Sequence, residues 1–180
     1  PIAYLTGNHD GWAGPELSNY VMRMAQRVGV PFMGLGGELF LTVGAVQYKL
    51  ALWHRYPGAS ALNKGNNQRR VRIDHNGADV VALAHLHNAY VEFSQTGEVN
   101  HVALRCGAYK VTDEHSRDAA GNVQADLRMP MVILNPLAKD MLYYEDFRKG
   151  VSELLRLRRE WCDHASFAVS AERLKRMVGV

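Results

Sequence analysis

The sequence predicts an α/β fold in which mixed β-sheets are flanked by helices. Three observations carry that prediction. Apolar runs of strand length recur along the chain, at Ile2–Leu5, Val46–Trp53, Val80–Ala84, Val99–Cys106 and Met131–Leu134. Two other stretches, one after Pro15 and one after Glu145, space their apolar residues as a helix does. Two pairs of runs are joined by short turns, at Gly44 and at Thr96-Gly97-Glu98, as in β-hairpins.

The first run, Ile2-Ala3-Tyr4-Leu5, stops at Gly7-Asn8-His9-Asp10. Such a run reads as a strand delivering polar side chains to its carboxyl edge, where α/β sheets carry their chemistry. Asn offers a neutral oxygen to a metal, His carries a proton near neutral pH, and Asp fixes an imidazole tautomer. The same residue types also favour plain turns, so this tetrapeptide alone leaves both readings open. Pro15 and Glu16 then suit the first turn of a helix. Leu17, Val21, Met24, Ala25 and Val28 form its apolar stripe, and Gly29 closes it. Trp12, in the loop before it, reads as a staple to the core.

Glu38–Val43 and Val46–Trp53 flank Gly44, and the second of these strands ends in His54. The segment 63–72 is polar and basic. Lying between strands that end in histidine, it is expected to overhang their edge, where Lys64, Arg69, Arg70 and Arg72 would meet phosphates. A solvated loop or helix face is the plainer alternative. His75-Asn76-Gly77 is a turn before Asp79 and the run Val80–Ala84, which ends in His85-Leu86-His87. Alternation in an extended segment would send side chains 85 and 87 the same way, a metal-ligand arrangement. Three apolar runs thus terminate in histidine, which favours a metal site over three separate structural histidines.

Tyr90–Gln95 and Val99–Cys106 make the second hairpin, and 113–128 reads as an irregular excursion. Met131–Leu134 is a short strand stopped by Asn135-Pro136, and Met141–Tyr144 is another. Residues 145–162 read as a helix of mixed charge with an incomplete apolar stripe, and Ser170 would cap a last short helix. The expected organisation is a single domain, 1–180, with 145–180 a helical C-terminal tail.

Of the 180 residues 47% are hydrophobic, enough for one real core. A net charge of +3 and a pI near 9.0 permit an anionic substrate without requiring one. Cys106 and Cys162 form no CxxC pair and are expected to be reduced, in a cytoplasmic protein. No apolar run approaches a membrane span, and no membrane partner is expected.

The order GNHD (Gly7 to Asp10), then His54, then Ala84-His85-Leu86-His87 resembles the calcineurin-like metallophosphoesterases. Their sequential pattern is D-x-H, G-D-x-x-D, G-N-H-[DE], H, G-H-x-H. The last block has Ala84 for the usual glycine and Leu86 for the common threonine, and neither change removes a ligand. The first two blocks do not precede GNHD, because only six residues stand before Gly7. The resemblance therefore implies the C-terminal part of a calcineurin-like αββα sandwich, cut within or before its third core strand. The partner of this chain would be the missing N-terminal part of the same enzyme.

By motif position, Asn8, His54 and His85 would ligate the second of two divalent metals and His87 the first. Such metals lie roughly 3.5–4 Å apart and would be manganese, iron, zinc or magnesium. His9 would protonate the leaving oxygen, oriented by Asp10. Without the carboxylate that bridges the metals in the family, this chain is expected to hold at most one. The implied activity of the whole enzyme is phosphoester hydrolysis, and phosphomonoesterases, phosphodiesterases and nucleases share these blocks. Arg55, Lys64, Arg69 and Arg70 lean toward a phosphodiester, nucleic acid among the candidates. The stretches 54–72 and 105–111 resemble phage or bacterial members. Two other readings stay open: a non-catalytic remnant, and a single-zinc protein built on His54, His85 and His87.

Overall fold

The computed structural model describes residues 2–7, 10, 14–58, 63–97, 99–108 and 127–160. Trp12, Cys162, the helix expected after Ser170 and nearly all of the 113–128 excursion lie outside them. Helix α1 (Pro15–Arg27) starts as its sequence predicts, with proline and Glu16 in the first turn. Its end is set by Gly29 at φ +69°. The Gly29 N–H donates to the Gln26 carbonyl (3.2 Å) and the Val30 N–H to the Ala25 carbonyl (3.0 Å), the paired bonds of a Schellman stop. The chain then runs beside its own beginning. Tyr4 N–H donates to Pro31 O (2.9 Å), Met33 N–H to Tyr4 O (2.9 Å) and Thr6 N–H to Gly34 O (2.7 Å), in parallel.

Strands β1 (Gly36–Val43) and β2 (Val46–Trp53) pair antiparallel, Val43 opposite Val46. A two-residue hairpin turn needs positive φ, and Gly44 supplies it at +60°. Helix α2 (Asn66–Asp74) carries the chain over to β3 (Val80–Leu83), which runs parallel to β2. β4 (Tyr90–Thr96) is the far edge, and β5 (Val99–Arg105) returns antiparallel to it and parallel to β3. The order across this five-stranded mixed sheet is β1-β2-β3-β5-β4. β6 (Met131–Leu134) and β7 (Met141–Tyr144) form a separate antiparallel pair, and residues 147–160 form helix α3.

Strand alternation splits the large sheet into two packed faces. Tyr48, Leu50, Val80, Val102 and Leu104 bury against Met141, Val132 and Leu134 of the β6–β7 pair. Ala51, Val81 and Leu83 bury on the other face, against Val71 of α2 and Ala78. Each fully buried Val or Leu contributes about 1.5–3 kcal/mol. Helix α3 lies against β6. A Cβ at buried Gly150 would stand 2.6 Å from the Met131 sulfur, so any larger residue there would push the Met131 side chain aside. The layers are therefore α2, the large mixed sheet, the small antiparallel sheet and α3, an α/β fold flanked by helices. Asp146 caps α3: its Oδ1 accepts from the Arg148 N–H (2.9 Å). The Arg148 guanidinium pulls the same carboxyl down to about 2.

Two expectations need correction here. The basic segment is a helix laid across the sheet, not a flap over its edge. Arg69 pairs with Glu92 of β4, and Arg72 donates to Ser94 (2.5 Å) and Thr96 (3.3 Å) of the same strand. The strand before His85 ends at Leu83, so residues 84–87 are not extended.

Candidate metal centre

Because β2, β3 and β5 are parallel, their carboxyl ends share one edge of the sheet. They stop at Trp53, Leu83 and Arg105, so His54, Ala84-His85 and Cys106 follow at that edge. Backbone bonds extend the pairing slightly: His54 N–H to Leu35 O (2.8 Å), Ala84 N–H to Trp53 O (3.2 Å), Cys106 N–H to Leu83 O (2.9 Å). His85 Nδ1 then lies 3.2 Å from His54 Nε2, with the rings edge-to-face at centroids 5.1 Å apart. Gly7 comes to the same place. A Cβ there would sit 3.1 Å from His54 Cε1, so the glycine admits the ring. The Gly7 N–H donates to Asp10 Oδ2 at 2.6 Å, which gives that carboxylate a backbone partner.

The histidine loop is strained. His85 has φ +70° and His87 φ +52°. The Leu86 N–H donates to the Ala84 carbonyl (2.9 Å), closing a γ-turn around His85 in its rare positive-φ form. Non-glycine residues in such conformations cost about 1–3 kcal/mol each and persist where the surroundings over-determine them. The turn removes the simple alternation expected of side chains 85 and 87. His85 is half-buried beside His54, whereas His87 is exposed.

Two cavities flank the imidazole pair. One, of about 360 Å³, is lined by Thr6, Gly7, Trp53, His54, Ala84 and Cys106. The other, of about 270 Å³, is lined by Arg55, Tyr56, Gly58, Asn67, Ala84 and His85. Burial pushes the Cys106 thiol up, so it behaves as an inert wall group. Arg55 lines the same cavity as His85. The other basic residues do not line these two cavities. Arg69 is held by Glu92, the exposed Arg70 lies 4.0 Å from Asp74, and Lys64 is exposed before α2.

Two nitrogens bound to one tetrahedral ion at about 2.0–2.1 Å are about 3.3–3.4 Å apart. The 3.2 Å edge between His54 and His85 fits two ligands of a single ion. No group of three or more His, Cys, Asp or Glu side chains among the described residues is arranged to hold a metal. Asn8 and His9 lie outside those residues. Asp79, with Asp10 a candidate to replace the bridging carboxylate, is at the other end of β3. It is buried there against the Lys49 N–H (2.7 Å) and the Lys139 ammonium (3.1 Å).

Sequence reasoning passed over Arg105. It is 1% exposed at the carboxyl end of β5, and its Nε donates to the Asn88 carbonyl at 3.1 Å. The available signal was a cation on an inward-facing position of an apolar strand.

No family model and no curated protein matches the sequence. Among solved structures, the chain is similar to Vps29 from Entamoeba histolytica complexed with zinc. The TM-score is 0.38 and the identity 9%, over 69% of this chain and 73% of that one. A single-site variant of the same protein gives 0.41 and 13%, over 79% of each chain. A Thermotoga maritima protein solved by NMR gives 0.32 and 14%, over 64% and 74%. Similarities this distant assign neither a family nor an activity.

Proposed function

We propose that this chain carries part of the metal centre of a phosphoester hydrolase of the calcineurin-like class. The observation that carries the reading is the 3.2 Å contact between His54 and His85 at the shared carboxyl edge of β2 and β3. It is supported by the order of the motif blocks and by Gly7, which brings the GNHD block against the His54 ring. His54 and His85 would hold one divalent ion, with Asn8 the next donor by motif position and His87 directed to a second ion. A bound divalent ion supplies Lewis-acid polarisation of a phosphoryl oxygen and an acidic bound water. The chain's own residues do the rest. Arg55, at the mouth of the 270 Å³ cavity, would pair with a phosphate oxygen. His9 would give its proton to the leaving oxygen. The donors that complete a two-metal site in this class come from the D-x-H and G-D-x-x-D blocks. The substrate is a phosphoester, with a phosphodiester or nucleic acid the class to test first.

A second reading is a one-ion, non-catalytic site, favoured by the gathering of only two imidazoles among the described residues. Elemental analysis together with hydrolysis of bis(4-nitrophenyl) phosphate separates the two. On these 180 residues we expect one ion per chain, lost in His54→Ala and His85→Ala, and no enzymatic turnover. Adding a chain that supplies the other two blocks should restore a second ion and turnover. Binding of an ion that survives both histidine substitutions would refute the assignment of the centre.

A further inference from the structure

We infer that Arg105 is the positioning residue of the centre: its buried guanidinium clamps the loop that presents His85 and His87. The inference rests on the reading of His85 as a ligand. Arg105 is 1% exposed, yet among the described residues no carboxylate pairs with it. Burial alone holds its pKa below the usual guanidinium value. A buried cation without a counter-charge is costly, and well-packed apolar residues in such places often serve stability as well or better. Arg105 therefore needs a reason other than stability.

Its contacts supply one. The Nε donates to the carbonyl of Asn88, the residue after His87, at 3.1 Å. The guanidinium also lies over the Tyr90 ring at 5.7 Å, and Tyr90 opens β4 directly across from Arg105. The loop that leaves β3 at Leu83 is thus fastened at both ends to one point of β5. Leu83 and Tyr90 both register with Arg105, and the Leu83 carbonyl accepts from the N–H of Cys106. Between those anchors the chain is drawn into the two left-handed residues, His85 and His87. With the far anchor loosened, both can relax to ordinary negative φ, and the 3.2 Å edge with His54 opens. Partners of ligating residues typically set metal affinity by about 10–100-fold.

The test uses Arg105→Met and Arg105→Lys in the 180-residue chain. Three readouts are taken: zinc affinity by competition with a chromophoric chelator, NMR of the metal-free protein, and Tm. Positive φ gives a strong intraresidue cross-peak between N–H and Hα, and wild type should show it at His85 and His87. Arg105→Met should weaken zinc roughly 10–100-fold and lose both cross-peaks, with Tm at or above that of wild type. Arg105→Lys, which keeps a charged donor, should recover part of both. If Arg105→Met lowers Tm but keeps the cross-peaks and the zinc affinity, the residue is structural and the inference falls. Should the methionine variant not fold, the lysine variant is read in the same way. Zinc binding indifferent to His54→Ala would remove the metal assignment itself. The metal-free cross-peaks would still decide whether Arg105 shapes the loop.

Discussion

The two edges of the five-stranded sheet are built to opposite standards. At the amino edge the buried polar groups find partners. Asp79 is 2% exposed, and its carboxylate takes the Lys49 N–H and the Lys139 ammonium, sealing the start of the β2–β3 ladder. The fully buried Tyr48 hydroxyl lies 2.7–2.9 Å from the carbonyls of Asn135, Ala138 and Asp140. It thereby anchors the β6–β7 turn to β2. His101 Nδ1 meets the Ala78 carbonyl at 3.1 Å. At the carboxyl edge, two histidines hold left-handed backbone and a buried arginine has no acid beside it among the described residues. Side-chain atoms of Asn67, Gln68, Asn88 and Arg105 are buried without a hydrogen-bond partner. Folding free energy alone favours the first arrangement. Sites that bind or react are where local rules are broken and the rest of the fold compensates. The contrast is the one expected if the carboxyl edge carries the proposed centre and the amino edge supports it.

The largest effect should come from the amino edge. Asp79→Ala strips the Lys49 N–H of its acceptor and frees Lys139. An orphaned buried donor costs about 1–3 kcal/mol, and the lost charge contact places this change at about 2–3 kcal/mol. Lys139, half exposed, turns to water and so does not add the full penalty of a buried unpaired ion. Urea unfolding should show the loss while zinc affinity stays within twofold. A matching fall in zinc affinity would mean that the two edges are not separable.

Tyr48→Phe should cost less, about 1–1.5 kcal/mol, the usual net value of a hydrogen bond. The ring stays packed against Leu50 and Met141, and only the tie to the β6–β7 turn is cut. The same unfolding experiment reads it. Hydrogen exchange should accelerate in residues 135–140 ahead of the rest. Uniform acceleration would show that the two sheets unfold as one unit.

The strands of this fold were legible because both faces of the large sheet are buried. Continuous apolar runs such as Val80–Leu83 then have few alternative readings. The histidines after β2 and β3 were legible for the same reason: a polar residue closing an apolar run marks a strand end. Helix α2 stood only as the plainer alternative for the basic segment, because its inner face is Asn67, Gln68 and Val71 rather than an apolar stripe. Its cations were assigned to a ligand, whereas Glu92, Ser94 and Thr96 on a strand distant in sequence receive Arg69 and Arg72. The γ-turn at His85 left no trace in residue type, since neither glycine nor asparagine stands there. Tertiary anchoring imposes that conformation, and no local pattern encodes it.

The smallest expected effect gives the sharpest view of the contrast, because it has the opposite sign. His87 is exposed and held at φ +52°, so replacing it removes little packing. Left-handed backbone costs an L-residue roughly 1–2 kcal/mol relative to glycine. Glycine in turn loses more chain entropy on folding, by roughly 0.5–1 kcal/mol. His87→Gly should therefore be more stable than wild type by about 0.5 kcal/mol, even though it deletes a candidate ligand. His87→Ala keeps the strain and lacks the ring, and should be the less stable of the two variants by about 0.5–1 kcal/mol. The difference between glycine and alanine in urea unfolding isolates the backbone from the imidazole. Alanine equal to or better than glycine would show that residue 87 is unstrained, and the carboxyl edge would lose one of the features that set it apart. Glycine ahead of alanine, alongside a destabilised Asp79→Ala, would show one sheet giving up stability at one edge and holding it at the other.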